Sequence, residues 1–278
     1  MRLGYFMMPL HPPGTDSARA MEQDLDQIVF LESLGFEEVW VGEHFTSRWE
    51  NLPCPDLFIA KALGMTQTIK FGTGVSCLPN HNPLMLAHRI AVLDHLARGR
   101  LYWGIGSGGF PGDFELFGFN PATGDHRQMT RESLETILKL WSDPAPGVYE
   151  SKYWRFTVPE PQDDIGLALY MRPYQLPHPP IAVAGISVKS DTLTLAGERG
   201  YLPMSINFVP ARVLKSHWEA VEAGAQKAGR LADRNNWRIA RDVYIGKTTA
   251  QARRDVLSST LARDWNEYFL PILKKVNF

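Results

Sequence analysis

The sequence predicts an α/β fold, and within that class a TIM (β/α)8-type barrel. Short apolar runs alternate along the chain with longer segments whose apolar residues recur at helical spacing. Polar or glycine-rich stretches follow several of these runs, as expected where the loops of a barrel gather on one face. No GxGxxG motif follows the first run, which disfavours a doubly wound nucleotide-binding sheet.

The predicted strands are rich in β-branched, aliphatic and aromatic residues and are bounded by turn-forming residues. They are residues 2–8, 37–41, 70–78, 101–106, 181–184, 202–208 and 237–245. A closed barrel of this type needs one strand more. We therefore expect either that the chain lacks its last βα unit or that the final strand comes from a segment whose pattern does not reveal it.

Amphipathic spacing predicts helices between these strands. Leu25 and Ile28 share one face before the second strand, and Leu86, Ile90 and Leu93 share one after the third. Further helices are predicted at residues 130–141, 190–199 and 249–273. The alternation of strands and helices implies parallel pairing with right-handed crossovers.

Residues 142–180 interrupt the alternation. This stretch is rich in proline, tyrosine and tryptophan and is much longer than an ordinary connection. We interpret it as an insertion after the fourth βα unit, with a hairpin near residues 148–157, that covers or borders the functional site. Without repeats or low-complexity tracts, residues 1–278 are expected to form a single domain.

Composition narrows the class of protein. The net charge of −1, with 44% hydrophobic and 21% charged residues, is typical of a soluble globular protein and argues against nucleic-acid or membrane-surface partners. No apolar run is long enough for a membrane span, and proline interrupts the N-terminus too early for a signal peptide. Cys54 and Cys77 form no CxxC motif, so a reducing, cytoplasmic location is expected.

The second predicted strand ends on a charged pair, Glu43 and His44. Because alternate residues of an extended chain point to opposite sides, the two should have separate roles. The histidine could be a metal ligand, a catalytic or cofactor-binding group, or a polar side chain satisfied at the edge of the core. The eight histidines show no HxH or HExxH spacing, so no metal site is expected, and the lack of a GxSxG motif disfavours a serine nucleophile.

Glycine-rich loops suggest a large planar anionic cofactor. Gly72 and Gly74 lie inside a predicted strand, where glycine is tolerated if a ligand or another backbone comes close. Crowding inside a barrel is the alternative explanation. In AGISVKSD, Ser187, Lys189 and Ser190 precede a helix and could hold a phosphate, although an ordinary helix cap is the alternative and the following aspartate would repel an anion.

Four segments together resemble the bacterial luciferase-like flavin-dependent monooxygenases, in particular the limonene and alkanal monooxygenase-like branch. They are EEVWVGEHF, FGTGVSCLPNHNPLMLAHRIAVLDHLARGR, WGIGSGGFPGDFELFG and RIARDVYIGKTTAQAR. The resemblance covers essentially the whole chain with the motifs in family order. It implies that reduced FMN, supplied by a separate NAD(P)H:flavin reductase, reacts with O₂ in the barrel mouth to oxygenate a small apolar or aromatic organic substrate.

The resemblance also implies a homodimer formed through the early helices. Two other functions remain open at this point. A deazaflavin-dependent oxidoreductase would use the same barrel to transfer hydride. A non-catalytic flavin-binding protein is suggested by the short C-terminal part of the chain.

Site residues carry over from the family position by position. His44 matches the catalytic histidine, which would hydrogen-bond the oxygenated flavin or move a proton. Gly74 and Val75 match a non-prolyl cis peptide expected to support the isoalloxazine ring. Asn82 could contact the ring or the substrate, or serve only as a turn residue.

The phosphate-binding residues transfer less directly. Ser107 occupies a position where the family often has arginine, so Arg127, with Arg131 second, is the arginine expected to bind the phosphate. Ser187 and Ser190 match the family's phosphate-binding turn. Asp113 matches an acidic position of the family, with a structural capping role as the alternative.

Overall fold

The computed structural model describes residues 2–275 and centres on a curled parallel sheet. Its strands are β1 (Gly4–Met7), β2 (Glu38–Val41), β3 (Lys70–Thr73), β4 (Ser76–Cys77), β5 (Leu101–Gly106), β6 (Gly147–Glu150), β7 (Arg155–Val158), β8 (Ile181–Gly185), β9 (Leu202–Ser205) and β10 (Arg238–Ile239). The helices are α1 (Ser17–Ser33), α2 (Pro55–Leu63), α3 (Pro83–Ala97), α4 (Pro111–Leu116), α5 (Asp125–Trp141), α6 (Asp191–Arg199), α7 (Leu214–Lys227), α8 (Thr249–Leu257), α9 (Thr260–Asp264) and α10 (Leu270–Lys275).

The sheet follows the order β1–β2–β3–β5–β8–β9–β10, with β4 as a further partner of β5. Neighbours along this path are parallel, which confirms the predicted strand order and pairing. Within the described range the path has two ends, β1 and β10, so the sheet is a curled half-barrel there. The last two strands stop at Ser205 and Ile239, earlier than predicted.

The interior of the curl is filled by aromatic and charged side chains of β2, β5 and β10. Trp40 stacks on Tyr102 with ring centroids 5.5 Å apart. The guanidinium of Arg238 lies 5.3 Å from the centroid of the Tyr102 ring and donates two hydrogen bonds to the Glu38 carboxylate, at 3.0 and 3.1 Å. A polar pair therefore joins the second and the last strand of the sheet across its interior.

Interior crowding explains the strand glycines. A Cβ at Gly72 would lie 2.2 Å from the Trp40 ring, and one at Gly104 would lie 2.0 Å from the Thr73 carbonyl oxygen. Neither position can accept a side chain, so these glycines are required by packing within the sheet. Of the two explanations open from the sequence, the structure selects crowding at these positions.

Helices cover the outer face of the sheet. The predicted apolar faces of α1 and α3 are buried, with Leu25 and Ile28 in one and Leu86, Ile90 and Leu93 in the other. Three helices were not predicted, α2, α4 and α7. Helix α7 packs tightly on α6, where a Cβ at Gly224 would lie 1.9 Å from the Thr194 carbonyl oxygen. No helix in residues 2–275 is both long and apolar enough to cross a membrane.

The segment predicted as an insertion carries the antiparallel hairpin β6–β7. At its turn, Trp154 Nε1 donates a hydrogen bond to Ser133 Oγ at 2.9 Å, and the Tyr153 hydroxyl donates one to Asp125 Oδ1 at 2.6 Å. Both acceptors lie on α5. Farther along, the amide of Gln175 donates to the buried Asp94 at the end of α3. The segment thus lies along α5 and α3, beside the first turn of α5.

Candidate active site

The loops that follow β2, β5, β8 and β9 lie at the carboxyl ends of the parallel strands, where barrel enzymes build their sites. His44 lies in the first of these loops, directly after β2. Its ring packs against Phe110 with centroids 4.7 Å apart, and 27% of its side chain is exposed. An imidazole that is mostly enclosed yet reachable from outside can contact a bound ligand.

Two buried carboxylates flank the His44 ring. Nε2 lies 3.4 Å from Glu50 Oε2, and Nδ1 lies 3.6 Å from Asp113 Oδ2. Both distances are long for direct hydrogen bonds. Nδ1 is buried and has no hydrogen-bond partner within the described part of the chain. The ring is therefore held between two negative charges with hydrogen-bonding capacity unused.

Charge determines the protonation of this histidine. Burial lowers the pKa of His44, but the carboxylates of Asp113 and Glu50 outweigh burial and hold the pKa above its ordinary value. Burial raises the pKa of Asp113, yet the contacts with His44 and Thr46 lower it overall. Near neutral pH the imidazole can therefore hold a proton or release one, as a general acid or base requires.

Asp113, in α4, fixes the loop that carries His44. Its carboxylate accepts hydrogen bonds from the Thr46 amide at 2.9 Å, the Thr46 hydroxyl at 2.6 Å and the Phe45 amide at 3.2 Å. The neighbouring Gly112 is required, because a Cβ there would lie 2.3 Å from Thr46 Oγ1. Asp113 therefore clamps the β2 loop to α4, which supports the structural role considered from the sequence.

Glu43 lies two residues past the end of β2 and has partners different from those of His44. Its buried carboxylate accepts from the Cys77 amide at 3.2 Å and faces His81 Nε2 at 3.0 Å. The two side chains thus contact different groups, and their separate roles stay a prediction. Glu43 anchors β4 and the turn before α3, and His81 is a partner that the sequence did not identify.

The Gly74–Val75 bond is a cis peptide between β3 and β4, as the resemblance implied. Val75 packs toward β5, since a Cβ at Gly106 would lie 2.6 Å from Val75 Cγ2. Asn82 is exposed and caps α3, accepting from the amides of Leu84 and Met85 at 2.9 and 3.2 Å. That geometry is the turn role foreseen for Asn82.

The residues expected to bind phosphate lie in three different places. Ser107 directly follows β5 and is half-buried. Arg127 is exposed in the first turn of α5, and Arg131 is exposed one turn later. Ser187 and Ser190 lie in the turn between β8 and α6, the first exposed and the second buried. Ser190 makes no side-chain cap; its hydroxyl instead contacts Thr192 Oγ1 at 2.8 Å.

A buried histidine, which no sequence pattern indicated, packs against the turn between β8 and α6 and holds it in place. His217, on α7, is fully buried; its Nδ1 contacts Ser205 Oγ at 2.8 Å and its Nε2 contacts the Ser187 carbonyl oxygen at 2.9 Å. Trp237 Nε1 also donates to Ser205 Oγ at 3.0 Å. Since the carbonyl can only accept, Nε2 carries the proton and Nδ1 accepts from the serine. This network fixes the carbonyl of Ser187 and leaves the exposed turn open to a ligand.

Glu50 and Tyr268 were also missed. The Tyr268 hydroxyl donates to Glu50 Oε2 and lies 2.8 Å from Ser47 Oγ, although the tyrosine comes 218 residues after the glutamate. No local spacing links these residues. Among residues 2–275, no group of three or more His, Cys, Asp or Glu side chains is arranged to hold a metal ion.

The chain is similar to known proteins of one family. The family model described as luciferase-like monooxygenase matches residues 1–270. The chain is 36% identical over 272 residues to the 4-hydroxyprotoasukamycin monooxygenase of Streptomyces nodosus subsp. asukaensis, covering 96% of this chain and 70% of that protein. It is 34% identical over 256 residues to the limonene 1,2-monooxygenase of Rhodococcus erythropolis, covering 91% of this chain and 62% of that protein.

A solved structure is similar over the whole chain. It is the oxygenating constituent of 3,6-diketocamphane monooxygenase of Pseudomonas putida, a type II Baeyer–Villiger monooxygenase in complex with FMN. The TM-score is 0.90 at 33% sequence identity, covering 100% of this chain and 76% of that chain.

Proposed function

The chain belongs to the luciferase-like monooxygenase family, and from that premise we propose that it is an FMN-dependent monooxygenase. It takes reduced FMN from a separate NAD(P)H:flavin reductase and uses O₂ to oxygenate a small apolar or aromatic organic substrate. The observation that carries the proposal is His44, held between Glu50 and Asp113 at the carboxyl end of β2 with Nδ1 unpaired.

The residues present fit a flavin mononucleotide. The His44 ring, 27% of whose side chain is exposed, can contact a ligand in the mouth of the half-barrel. The exposed turn before α6 presents backbone N–H groups at the N-terminus of a nine-residue helix, an arrangement suited to a phosphate. Lys189, exposed in that turn, adds positive charge, whereas Asp191 opposes it.

In this proposal, each candidate residue has a separate role. Ser187, Ser190 and Arg127 hold the phosphate. Gly74 and Val75 would support the isoalloxazine ring, Ser107 would lie near the phosphate, and Asn82 contributes by fixing the turn before α3. When bound, reduced FMN reacts with O₂ and supplies the oxygen atom that is transferred to the substrate.

His44 moves the proton that this chemistry requires. Because the two carboxylates hold its pKa above the ordinary value, the imidazole is protonated over a wider pH range than a free histidine and can donate near neutral pH. The clamp by Asp113 keeps the ring in place, and the adjacent Phe110 ring excludes water from one side of it. Both effects strengthen a hydrogen bond to the bound ligand.

We further propose that the protein is a cytoplasmic homodimer formed through α2 and α3. These helices expose Leu57, Met85 and Leu96, whose side chains are 67%, 64% and 57% accessible. Apolar residues grouped on neighbouring helices in this way are typical of an interface. Both cysteines are free thiols, in keeping with a reducing compartment. Light scattering of the wild type and of the Leu57→Glu/Met85→Glu variant tests this: dimer for the first and monomer for the second is expected.

A stepwise anaerobic experiment tests the activity. Photoreduced FMN is titrated into the protein, and labelled O₂ is then admitted with a panel of cyclic ketones and terpenes. The expected result is FMN binding and a product that carries one labelled oxygen atom. If FMN binds but no oxygenated product forms, or if the reduced FMN only yields hydrogen peroxide, a non-catalytic flavin-binding protein is favoured. If a deazaflavin binds in preference to FMN, a hydride-transferring oxidoreductase is favoured.

A further inference from the structure

The C-terminal segment delivers a buried phenol to the carboxylate that faces His44. Tyr268 is 6% exposed, and its hydroxyl contacts both Glu50 Oε2 and Ser47 Oγ. The tyrosine ring stacks on Trp49 with centroids 5.6 Å apart. Tyr268 lies in a π-helical turn, Trp265–Phe269, between α9 and α10. Such turns are rare and occur frequently at functional sites.

The protons of this network can be assigned. Ser47 Oγ accepts from the amides of Trp49 and Glu50, at 3.1 and 2.9 Å, so its hydroxyl proton is free to point at Tyr268. Burial and the negative charge of Glu50 raise the pKa of Tyr268, which keeps the phenol neutral. The phenol therefore accepts a hydrogen bond from Ser47 and donates one to Glu50 Oε2.

The same oxygen, Glu50 Oε2, is the atom that faces His44. It lies 3.4 Å from Nε2, beyond an ordinary hydrogen bond, whereas it accepts a direct hydrogen bond from the phenol. The carboxylate is thus drawn toward Tyr268 and held off the imidazole. A carboxylate released from the phenol would close on His44 and form a direct ion pair with it.

We propose that Tyr268 is a positioning residue that restrains Glu50, so that His44 is polarised by this carboxylate without being locked into an ion pair. This rests on the proposed function only in making His44 the group that moves the proton. The charged groups facing the ring are Glu50 and Asp113, with Glu43 preceding it in the chain. The guanidinium of Arg263 lies 5.7 Å from the centroid of the Trp49 ring.

Tyr268→Phe isolates the effect, because the variant keeps the ring that stacks on Trp49 and loses only the hydroxyl. The pKa of His44 is measured by NMR titration of protein labelled with [¹³Cε1]histidine, the resonance being identified by its loss in His44→Gln. The expected result is a higher His44 pKa in Tyr268→Phe than in the wild type. An unchanged or lower value overturns the proposal.

Two further variants secure the result. Tyr149→Phe removes a phenol hydroxyl that donates to the Ala145 carbonyl on the hairpin, and it should leave the His44 pKa unchanged. If Tyr268→Phe does not fold, 3-fluorotyrosine at position 268 supplies a stronger donor of nearly the same shape, and it should lower the His44 pKa. A rise or no change there would contradict the restraint.

The titration requires no flavin and no substrate, so it is decided independently of the proposed activity. Where oxygenation is observed, the pH dependence of turnover should move in Tyr268→Phe in the same direction as the His44 pKa. A structural role alone would lower turnover equally at every pH. If the His44 pKa rises in Tyr268→Phe but the protein shows no oxygenase activity, the proposed function is wrong and the restraint by Tyr268 still holds.

Discussion

At the scale of single residues, the site depends on one imidazole and two carboxylates that lie too far from the imidazole for direct hydrogen bonds. Glu50 is 3.4 Å and Asp113 is 3.6 Å from the His44 ring. Charges at these distances in a partly enclosed site change the pKa of the imidazole without fixing its proton. A histidine in this setting can accept and return a proton in one catalytic cycle.

Removing the His44 imidazole should reduce oxygenation and spare the fold. Replacement by alanine is expected to lower turnover by roughly 10²–10⁴-fold, the usual contribution of a general acid or base. Circular dichroism and FMN affinity should stay near wild type. His88→Ala is the matched control, because His88 is an exposed histidine of α3 that contacts the Leu84 carbonyl of its own helix. Equal turnover in His44→Ala and wild type would remove His44 from the mechanism.

Asp113→Asn should destabilise the β2 loop in a pH-dependent way. The carboxylate accepts three hydrogen bonds from Phe45 and Thr46, and its loss should cost about 1.5–3 kcal/mol of unfolding free energy near neutral pH. Because the folded pKa of Asp113 is lowered, its contribution is complete above the unfolded value of about 3.9. It is lost as the pH falls through the folded value.

Urea unfolding across the acid range measures this effect. The difference in unfolding free energy between wild type and Asp113→Asn should be largest near neutral pH and should shrink as the solution is acidified. A difference that stays constant with pH would show that the stabilising interaction does not require the ionised carboxylate.

At the scale of elements, the turn between β8 and α6 is shaped by a helix that lies beneath it. His217 of α7 fixes the Ser187 carbonyl, and α7 approaches α6 closely at Gly224. The turn itself stays exposed from Ile186 to Lys189. A rigid base under an open turn is suited to binding an anion, since the backbone N–H groups are then held in place before the ligand arrives.

Arg127, in the first turn of α5, should contribute to phosphate binding. Arg127→Ala is expected to weaken FMN binding about tenfold, corresponding to the loss of about 1.4 kcal/mol from a charge-assisted contact. Riboflavin lacks the phosphate, so its affinity should be unaffected. Fluorescence titration with both ligands makes the comparison, and Arg131→Ala, an exposed arginine one turn away, is the control. Loss of FMN affinity in Arg131→Ala alone would assign the role to Arg131.

At the scale of the whole molecule, a single ion pair connects distant parts of the sheet. Glu38 on β2 and Arg238 on β10 are 200 residues apart, and each side chain is only 15% exposed. Tyr102 and Trp40 stack beside them and enclose the pair. The pair thus joins the two sides of the curl at the first residues of β2 and β10.

Breaking this pair from one side should be more harmful than replacing both partners. Arg238→Met leaves the Glu38 carboxylate enclosed without its cation and should cost about 2–3 kcal/mol of unfolding free energy. The double variant Glu38→Gln/Arg238→Met should recover most of that loss. Chemical denaturation of the wild type, Glu38→Gln, Arg238→Met and the double variant gives the coupling energy. Additive losses in the double variant would mean that the two side chains contribute independently.

Much of the fold follows from local patterns. Alternating apolar runs and helical spacing were enough to predict the seven strands of the sheet path and the buried faces of α1 and α3, because burial on one side imposes a regular period. The strand predicted to reach residue 245 ends at Ile239, and Val243 and Ile245 are exposed beyond it. The apolar residues at 243–245 continued the strand-like sequence pattern, but the backbone there forms no strand.

The sequence by itself placed Glu43 and His44 directly after the second strand, and the family resemblance indicated the cis Gly74–Val75 bond, since each depends on a motif carried within a few residues. Only the tertiary structure decided what surrounds them. The Glu50 carboxylate contacts Tyr268, 218 residues away, and the Ser187 carbonyl contacts His217, 30 residues away. Such contacts depend on how the sheet curls and where the helices pack. The local spacing of apolar residues carries no information about contacts between residues so far apart in the chain.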